Sequence, residues 1–388
     1  MHSRVQTLAQ LLLHTWAHSK PDQLLAGEGG ARVAISSAEL YRRVARLHFA
    51  LRRLGLQRGD RCALLSEGRW ERVAADFAMA TGGIVGVLLD PALRGEQIRR
   101  ALASSAARSI FVSTREQQEK IESIQKRSPL LDHVIAFEET TPDPARGLLG
   151  FTQLIAGGAL DIKEREEFHA AIEKVQPEEL ASIVCASGAE DANGVLLTHA
   201  DWLSGLLEAG LGIQPDDVAL CCLPFSYLFA RTIEYSCLLE GATVAHAATI
   251  EGALAGLEQV RPTLVAAEPA FFERLYLRVM QSLATLSPSR QKLFRWAFQV
   301  GARCRPCRLE NRRLPADLRI EFAVADRLVF SALRAKLGGR IRRFMSSGGT
   351  LAPELTEFFH AVGLGSREET TITLGSRSSS DLRPTGST

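Results

Sequence analysis

The chain has 388 residues, of which 46% are hydrophobic and 23% are charged, a composition typical of globular proteins. It carries 46 basic and 44 acidic residues, and the resulting net charge of +2 gives no reason to expect a nucleic-acid partner. Seven cysteines are an odd number spread over a long chain, which favours free thiols in a reducing compartment over a disulfide framework.

Neither the N-terminus nor the longest apolar run has the pattern of a membrane segment. Residues 1–20 have too short an apolar core for a signal peptide and no small-residue cleavage pattern. Residues 77–89 are too few, and too rich in glycine, to span a bilayer. We therefore expect a cytoplasmic protein that at most contacts the inner face of a membrane peripherally.

The first half of the chain alternates between predicted strands and helices. Helical spacing of apolar residues occurs at 8–18, 36–51, 69–81 and 96–106, and strand-like runs occur at 61–66, 82–89, 109–113 and 133–137. This alternation predicts a parallel sheet with helices on both faces. Residues 138–150 read as a loop, and residues 157–176 as a polar helical stretch.

The stretch 181–199 has the strongest functional pattern in the chain. A buried strand is predicted to end at Ala186, and Ser187, Gly188 and Gly194 surround a polar segment that leads to a helix after His199. A strand that turns sharply through small residues presents backbone N–H groups that can hold an anion. From these residues alone, an anion-binding turn and an ordinary strand–turn–strand link are equally favoured.

The second half resumes the alternation and then changes character. Strands are predicted at 218–223, 243–246, 264–267 and 341–347, and helices at 271–280, 323–337 and 353–361. Between them, residues 287–313 carry eight basic residues: Arg290, Lys292, Arg295, Arg303, Arg305, Arg308, Arg312 and Arg313. This run either contacts phosphates or forms the solvated face of a helical insertion. Residues 365–388 have few large apolar side chains, which predicts a disordered tail.

Some reactive residue types in the chain have structural interpretations. Cys304 and Cys307 form a C-x-x-C motif without a second pair, which is only a weak signal for a metal or redox site. We assign neither role to it. Cys221 and Cys222 lie in a predicted strand and are expected to be small core residues. His199 is expected to pack or cap at the start of a helix.

Five segments, in sequence order, resemble the AMP-forming acyl-CoA ligases, and specifically their long-chain fatty-acid branch. The last two combine Arg-Pro-Thr at 261–263 with Phe-Glu-Arg-Leu-Tyr at 272–276, and Ser-Ser-Gly-Gly at 346–349 with Pro-Glu-Leu at 353–355. The other three lie at residues 59–67, 90–98 and 223–235, the third being similar to the family's LPLSHVFERT segment. The chain is identified as a member of this family over residues 6–364.

The resemblance implies an α/β fold of stacked, mostly parallel sheets with flanking helices, as in the large N-terminal domain of adenylate-forming enzymes, incomplete at its C-terminal end. It divides the chain into a first α/β subdomain at 1–175 and a second at 176–364, which carries the altered phosphate loop and the basic insertion. The disordered tail follows at 365–388, and the C-terminal domain with the family's catalytic lysine is expected to be absent.

The resemblance also implies a chemistry in which ATP and a fatty acid give an acyl-adenylate, from which coenzyme A displaces AMP. ATP, Mg²⁺ and coenzyme A are therefore the implied cofactors and fatty acid the implied substrate, although no catalytic residue and no metal ligand is assigned. Tyr227 and Phe229 are the candidate substrate-binding residues, with ordinary core packing as the alternative. The candidate nucleotide-binding residues are Ser187, Gly188, Asn193, Gly194, Ser347, Gly348, Gly349 and Thr350.

The phosphate loop departs from the family form T-S-G-T-T-G-x-P-K-G-V. Residues 189–193 correspond to the T-T-G-x-P-K part of that form. They are one residue shorter than this part, and they lack both threonines and the lysine. A lost charge-assisted bond to phosphate costs about 1.5–3 kcal/mol. Glu190 and Asp191 add charge repulsion, which for two unit charges about 4 Å apart is about 1 kcal/mol in water and about 4 kcal/mol at an effective dielectric constant near 20. Tyr227 and Ala230 also replace a family histidine and glutamate, while Arg231 remains.

Three hypotheses follow from these patterns. The first is a long-chain fatty-acid–CoA ligase that acts alone. The second is a truncated or degenerate ligase that is weakly active or inactive. The third is a non-catalytic pseudoenzyme that binds an acyl chain or a partner, with a basic face that contacts a membrane, another protein or a second copy of the chain.

Overall fold

A computed structural model describes residues 5–27, 32–185, 194–223, 228–309, 312–346, 351–364 and 366–368. The strands are β1 (Leu24–Ala26), β2 (Val33–Ile35), β3 (Arg61–Leu65), β4 (Val85–Leu89), β5 (Ser109–Val112), β6 (His133–Ala136), β7 (Leu148–Gly150), β8 (Leu180–Cys185), β9 (Val195–Thr198), β10 (Val218–Cys222), β11 (Thr243–His246), β12 (Leu264–Ala267), β13 (Arg343–Ser346) and β14 (Ser366–Glu368).

The helices of the first half are α1 (Leu8–Ala17), α2 (Ser37–Arg53), α3 (Trp70–Thr81), α4 (Gly95–Ser105), α5 (Arg115–Gln125), α6 (Phe151–Leu154) and α7 (Ile162–Lys174). Those of the second half are α8 (His199–Ala209), α9 (Leu228–Glu240), α10 (Ile250–Val260), α11 (Pro269–Ala284), α12 (Pro288–Leu309), α13 (Ala316–Ala325), α14 (Ser331–Lys336) and α15 (Pro353–Ala361). A π-helical turn, Asp326–Phe330, joins α13 to α14.

The described strands form two seven-stranded sheets. The first sheet has the order β7-β6-β5-β3-β4-β8-β9, and the second has the order β14-β13-β12-β10-β11-β1-β2. All neighbouring pairs are parallel except β8–β9 and β1–β2. The predicted fold of stacked, mostly parallel sheets with flanking helices is therefore confirmed.

Apolar side chains from alternate strand positions divide the core into three layers. In β10, Cys221 faces the layer between the two sheets, while Leu220 and Cys222 face the outer layer of the second sheet. In β3, Leu64 faces the layer between the sheets, while Leu65 faces the outer layer of the first sheet. Both sheets thus bury both faces, which is why their strands are continuous apolar runs with no polar alternation.

The two sheets do not follow the predicted subdomain boundary between residues 175 and 176. β1 and β2 come from the start of the chain but lie in the second sheet, where Leu24 pairs with Val244 of β11. β8 and β9 follow residue 176 but complete the first sheet, where Ser182 pairs with Gly86 of β4. The subdomain boundary remains a prediction, and it does not coincide with the division between the sheets.

Two short strands lie where the sequence predicts irregular structure. β7 occupies the end of the predicted loop at 138–150 and pairs with β6. β14, at the start of the predicted disordered tail, pairs with β13 through Phe344 and Ser366. The disordered tail remains a prediction, since residues 365 and 369–388 lie outside the described residues.

The basic insertion predicted at 287–313 is the long helix α12, which packs with α13 and α15 on the outer face of the second sheet. A Cβ added to Gly301 of α12 would lie 2.3 Å from the carbonyl oxygen of Ala361 in α15, so the two helices meet backbone to backbone. Among the helices that the structure describes, none has the length and apolarity needed to cross a bilayer.

Candidate active site

The carboxyl edges of the two sheets meet, and the predicted site segments follow strands that end there. β8 ends at Cys185, shortly before the candidate residues 187–194. β10 ends at Cys222, shortly before the candidates at 227 and 229, and β13 ends at Ser346, directly before those at 347–350. A Cβ added to Gly68, just past β3, would lie 3.3 Å from the carbonyl oxygen of Ala247, just past β11. Since ligands of open α/β sheets bind outside the carboxyl ends of the strands, this shared edge is the candidate active site.

Two of the ten predicted site residues, Gly194 and Phe229, fall within the described part of the chain. The side chain of Phe229 is buried in the core layer between the sheets, so its predicted contact with substrate stays a prediction beside the core packing that is observed. The others lie outside the described residues: Ser187, Gly188, Asn193, Tyr227, Ser347, Gly348, Gly349 and Thr350.

Gly194 directly precedes β9, the strand that runs antiparallel to β8. A Cβ at this position would lie 2.6 Å from Cγ2 of Ile183, 2.9 Å from Sγ of Cys185 and 2.9 Å from the carbonyl oxygen of Val184. These distances leave no room for a side chain, so glycine is needed for β9 to leave the loop against β8. Gly194 therefore fixes the exit of the segment 186–193, a structural role that accounts for this residue without any ligand.

Arg231, which the family motif retains, is buried at the centre of an ionic network. Its Nη2 donates to Oδ1 of Asp76 at 2.7 Å, and its Nη1 donates to Oγ of Ser182 at 2.8 Å. Its guanidinium also lies 4.4 Å from the ring centroid of Trp202, and Tyr235 O–H donates to Asp76. Burial opposes its charge, but Asp76 and Tyr235 raise the pKa of Arg231 above its ordinary value.

This network joins β8 of the first sheet to helices α3, α8 and α9, close to the candidate site. Ser182 lies in β8, three positions before Cys185, while Asp76 lies in α3 and Arg231 in α9. Trp202 Nε1 of α8 also donates to Oγ of Ser182 at 2.7 Å. Because the guanidinium is committed to these buried partners, we assign Arg231 to positioning β8 and not to binding phosphate.

A second buried ionic group lies between the same helices. Arg72 donates to Oε2 of Glu234 at 2.5 Å, and Nε2 of His246 lies 3.3 Å from Oε1 of Glu234. Burial alone would favour the neutral acid, but Arg72 and His246 together lower the pKa of Glu234 to about 2. The carboxylate is therefore ionised in the folded protein and joins α3, α9 and the end of β11.

His246 also lines a cavity of about 670 Å³ at the carboxyl edge, beside β1 and β2. Its acidic lining residues are Glu67, Glu71 and Glu138, and its basic ones are Arg43 and Arg69. Arg69 donates to both carboxylate oxygens of Glu71 at 2.9 Å, and Arg43 pairs with Glu39 at 2.6 Å. Because the arginines are paired and acids are in excess, the chemistry of this cavity does not suit a polyphosphate.

His199 is the first residue of α8, and its side chain is buried. Its Nδ1 accepts a hydrogen bond of 3.2 Å from the backbone N–H of Leu8, and burial, with a smaller contribution from Arg231, lowers the pKa of His199 to about 3. The ring is thus neutral and fixed, which confirms that this histidine packs at a helix start. Cys221 and Cys222 are buried strand residues, as predicted.

The buried groups Arg72, Asp76 and Glu234 were not found by sequence reasoning. Asp76 and Glu234 each lie between apolar or aromatic neighbours in a helix, which is a signal of a buried ion. Arg72, in contrast, directly follows Glu71 and has no such signal. Among the residues that the structure describes, no group of three or more His, Cys, Asp or Glu side chains could hold a metal ion. We therefore assign no ligand for Mg²⁺.

The family model described as AMP-binding enzyme matches residues 13–373 of the chain. The long-chain-fatty-acid–CoA ligase FadD15 of Mycobacterium tuberculosis is 28% identical over 342 residues, which cover 86% of this chain and 55% of that protein. Fatty acyl-CoA synthetase A of Dictyostelium discoideum is 27% identical over 349 residues, which cover 87% of this chain and 50% of that protein. The chain spans about half the length of these curated relatives.

Solved structures share the fold at low identity. The adenylation domain of a carboxylate reductase from Mycobacterium chelonae has a TM-score of 0.69 at 16% identity, and the match covers 93% of this chain and 57% of that one. Acetoacetyl-CoA synthetase from Streptomyces lividans has a TM-score of 0.67 at 16% identity, with 93% and 51% covered. These likenesses bear on the fold alone.

Proposed function

The chain belongs to the AMP-binding enzyme family, and from that premise we propose that it activates a long-chain fatty acid weakly, by adenylation. The supporting observation is that β8 ends, and the antiparallel β9 begins, at the shared carboxyl edge, with residues 186–193 between them in the sequence. This is the place that the family's phosphate loop takes in the sequence pattern. The relatives named as fatty-acid–CoA ligases support a long acyl chain as the substrate.

In the proposed reaction, a carboxylate oxygen of the fatty acid attacks the α-phosphorus of ATP. The bond from that phosphorus to the bridging oxygen breaks, and pyrophosphate leaves. The thiolate of coenzyme A then attacks the acyl carbonyl carbon and AMP leaves. Because the first step brings two anions together, the protein must offset phosphate charge and align the reacting atoms.

The residues of this chain are better suited to aligning the reacting atoms than to offsetting the negative charge of the phosphates. Ser182, Arg231 and Gly194 hold the two strands from which the loop extends. The loop itself contains Glu190 and Asp191, and it has asparagine at position 193, where the family pattern has lysine. We therefore propose that ATP binds weakly and that adenylation is slow, or absent at physiological ATP concentrations.

Palmitate-dependent exchange of labelled pyrophosphate into ATP tests this proposal. Replacing Asn193 by lysine restores one cation to the loop, and a charge-assisted contact of about 1.5–3 kcal/mol corresponds to roughly 10- to 150-fold more exchange activity. Asn193→Gln is the matched control, since it adds length without charge. Equal activity of the two variants, or exchange by the unmodified chain at the rate of an ordinary ligase, would contradict the proposal.

The alternative is a non-catalytic protein whose basic face contacts a membrane, another protein or a second copy of the chain. Helix α12 supports it, because its 22 residues include six basic residues and no acidic one. Lys292 and Arg295 are exposed on this helix. Co-sedimentation with vesicles containing anionic lipid, lost in the variant with Lys292→Glu and Arg295→Glu, would support this alternative if pyrophosphate exchange is absent as well.

A further inference from the structure

The outer layer of the second sheet contains a groove that is separate from the shared carboxyl edge. Its volume is about 760 Å³, within the range of about 300–1,000 Å³ that is typical of sites for small molecules. Its walls come from α10, α11, α12 and α14, together with the π-helical turn before α14.

The groove lies toward the end of these helices that is remote from the candidate active site. α11 begins two residues after β12 ends, at the carboxyl edge, and then returns along the sheet. The groove is lined by Leu275 and the later residues of α11, and by the C-terminal half of α10. The second sheet therefore separates most of this groove from the layer that contains Arg231 and β8.

The floor and walls of the groove are apolar. Leu257, Leu275, Val279 and Leu337 are buried at its base as part of the outer core layer. Leu328, in the π-helical turn, lines it and remains 54% exposed. Further apolar side chains of the same helices complete the lining, among them Leu283, Leu293 and Leu333.

The charged lining of the groove is basic. Arg278, Arg290 and Lys336 are exposed, and the acidic lining residue is Glu258. Within the part of the chain that the structure describes, none of these three cations forms an ion pair or a hydrogen bond with another side chain. This contrasts with the cavity near His246, where both arginines are paired.

An apolar slot with free cations along its walls matches one ligand chemistry, a single alkyl chain that ends in an anion. We propose that this groove binds one long-chain fatty-acid anion, with its chain among the leucines and its carboxylate at Arg278, Arg290 or Lys336. Nothing in this proposal requires ATP or the segment 186–193. A fully buried chain should bind about fourfold more tightly for each added CH₂.

Photolabelling of the full chain tests the location of the bound ligand. The probe is a palmitate analogue with a diazirine near its methyl end, used below its micelle-forming concentration. We expect adducts on peptides that contain residues 275–294 and 328–337, and competition by palmitate. Adducts confined to peptides that border residues 186–193, 224–227 or 347–350 would overturn the proposal that the groove binds the fatty acid, and they would leave the proposed function intact.

Charge reversal tests the basic lining, with a matched control pair on α12. In the variant with Arg290→Glu and Lys336→Glu, we expect about tenfold weaker labelling and palmitate binding by calorimetry. The control variant, Lys292→Glu with Arg295→Glu, changes the same charge on exposed residues that do not line the groove. Equal loss of labelling and of palmitate binding in the two variants would overturn the proposal. Occupation of the groove by vesicle lipid or by a second copy of the chain, instead of palmitate, would also overturn it.

A groove-filling variant provides a test that does not depend on charge. Ser282 is an exposed residue of the lining. Ser282→Trp therefore adds bulk to the groove without disturbing its buried base. We expect loss of the labelling at 275–294 and 328–337, with palmitate-dependent pyrophosphate exchange, where it is measurable, unchanged. Unchanged labelling in this variant would contradict the proposed position of the chain.

Discussion

The layer between the two sheets and the helical layer outside the second sheet contain arginine in opposite settings. Between the sheets, Arg72 and Arg231 are buried and bonded to carboxylates. Outside, residues 288–336 contain 12 basic and four acidic residues, a net charge of +8, so the rest of the chain, with 34 basic and 40 acidic residues, has −6. The buried charges join elements between the sheets, whereas Arg290, Lys292 and Arg295 of the outer layer are exposed.

The largest effect expected from this difference is at the buried pair. Asp76→Ala leaves the Arg231 guanidinium without its carboxylate in a buried site, and breaking such a pair costs about 3–5 kcal/mol. Urea unfolding should show this loss in the free energy of unfolding. The double variant Asp76→Ala with Arg231→Met should recover part of it, and a loss below about 1 kcal/mol in the single variant would remove the distinction between the layers.

The outer layer should instead be sensitive to packing where its helices touch. Gly301→Ala places a Cβ against the carbonyl of Ala361, and overpacking of this kind costs about 1–3 kcal/mol. Gly158→Ala is the matched control, because a Cβ there would have no atom within 4 Å. Thermal unfolding should separate the two variants, and equal melting temperatures would mean that α12 moves away from α15 without cost.

The layer between the sheets should also be sensitive to pH through His199. Its folded pKa of about 3 lies below the ordinary 6.5, so the stability that it contributes is complete above pH 6.5 and is lost as the pH falls toward 3. Between pH 7.5 and pH 5 the loss should be about 2 kcal/mol. His199→Gln should show a correspondingly smaller decrease in unfolding free energy, and identical decreases would contradict a neutral buried ring.

The smallest effect is expected at an ion pair on the outer surface. Arg303 and Glu321 lie 2.7 Å apart, but their side chains are 55% and 40% exposed. Solvent screening limits such pairs to about 0.2–1 kcal/mol, so Arg303→Ala should shift the urea midpoint only slightly, and less still in high salt. A loss of unfolding free energy as large as that of Asp76→Ala would contradict the difference between buried and exposed arginines.

Much of the fold follows from the sequence because most strands are continuous apolar runs. The predicted limits of the strands at 243–246 and 264–267 and of the helix at 353–361 are those observed. β1 and β2 have three residues each, too few to establish a period, and they are stabilised by partners more than 200 residues away or by each other. Local pattern could not identify them.

The candidate site was predicted in position more than in detail. The segments after β8, β10 and β13 were identified from the resemblance, and the structure brings their strands to one edge. The role of Arg231 could not be predicted, because its partners Asp76 and Ser182 are remote in sequence and belong to other elements. A motif specifies which residue is present, but its partners depend on how distant elements pack.

The exchange of strands between the sheets has a consequence for synthesis on the ribosome. β1 pairs with β11, so Leu24 must wait until Val244, 220 residues later, has emerged. At about 5–20 residues per second that interval is roughly 10–45 s, during which β1 and β2 have no sheet to join. Long-range pairing of this kind slows folding and exposes apolar strands. We therefore expect the N-terminal hairpin to be the nascent chain's point of greatest dependence on chaperones.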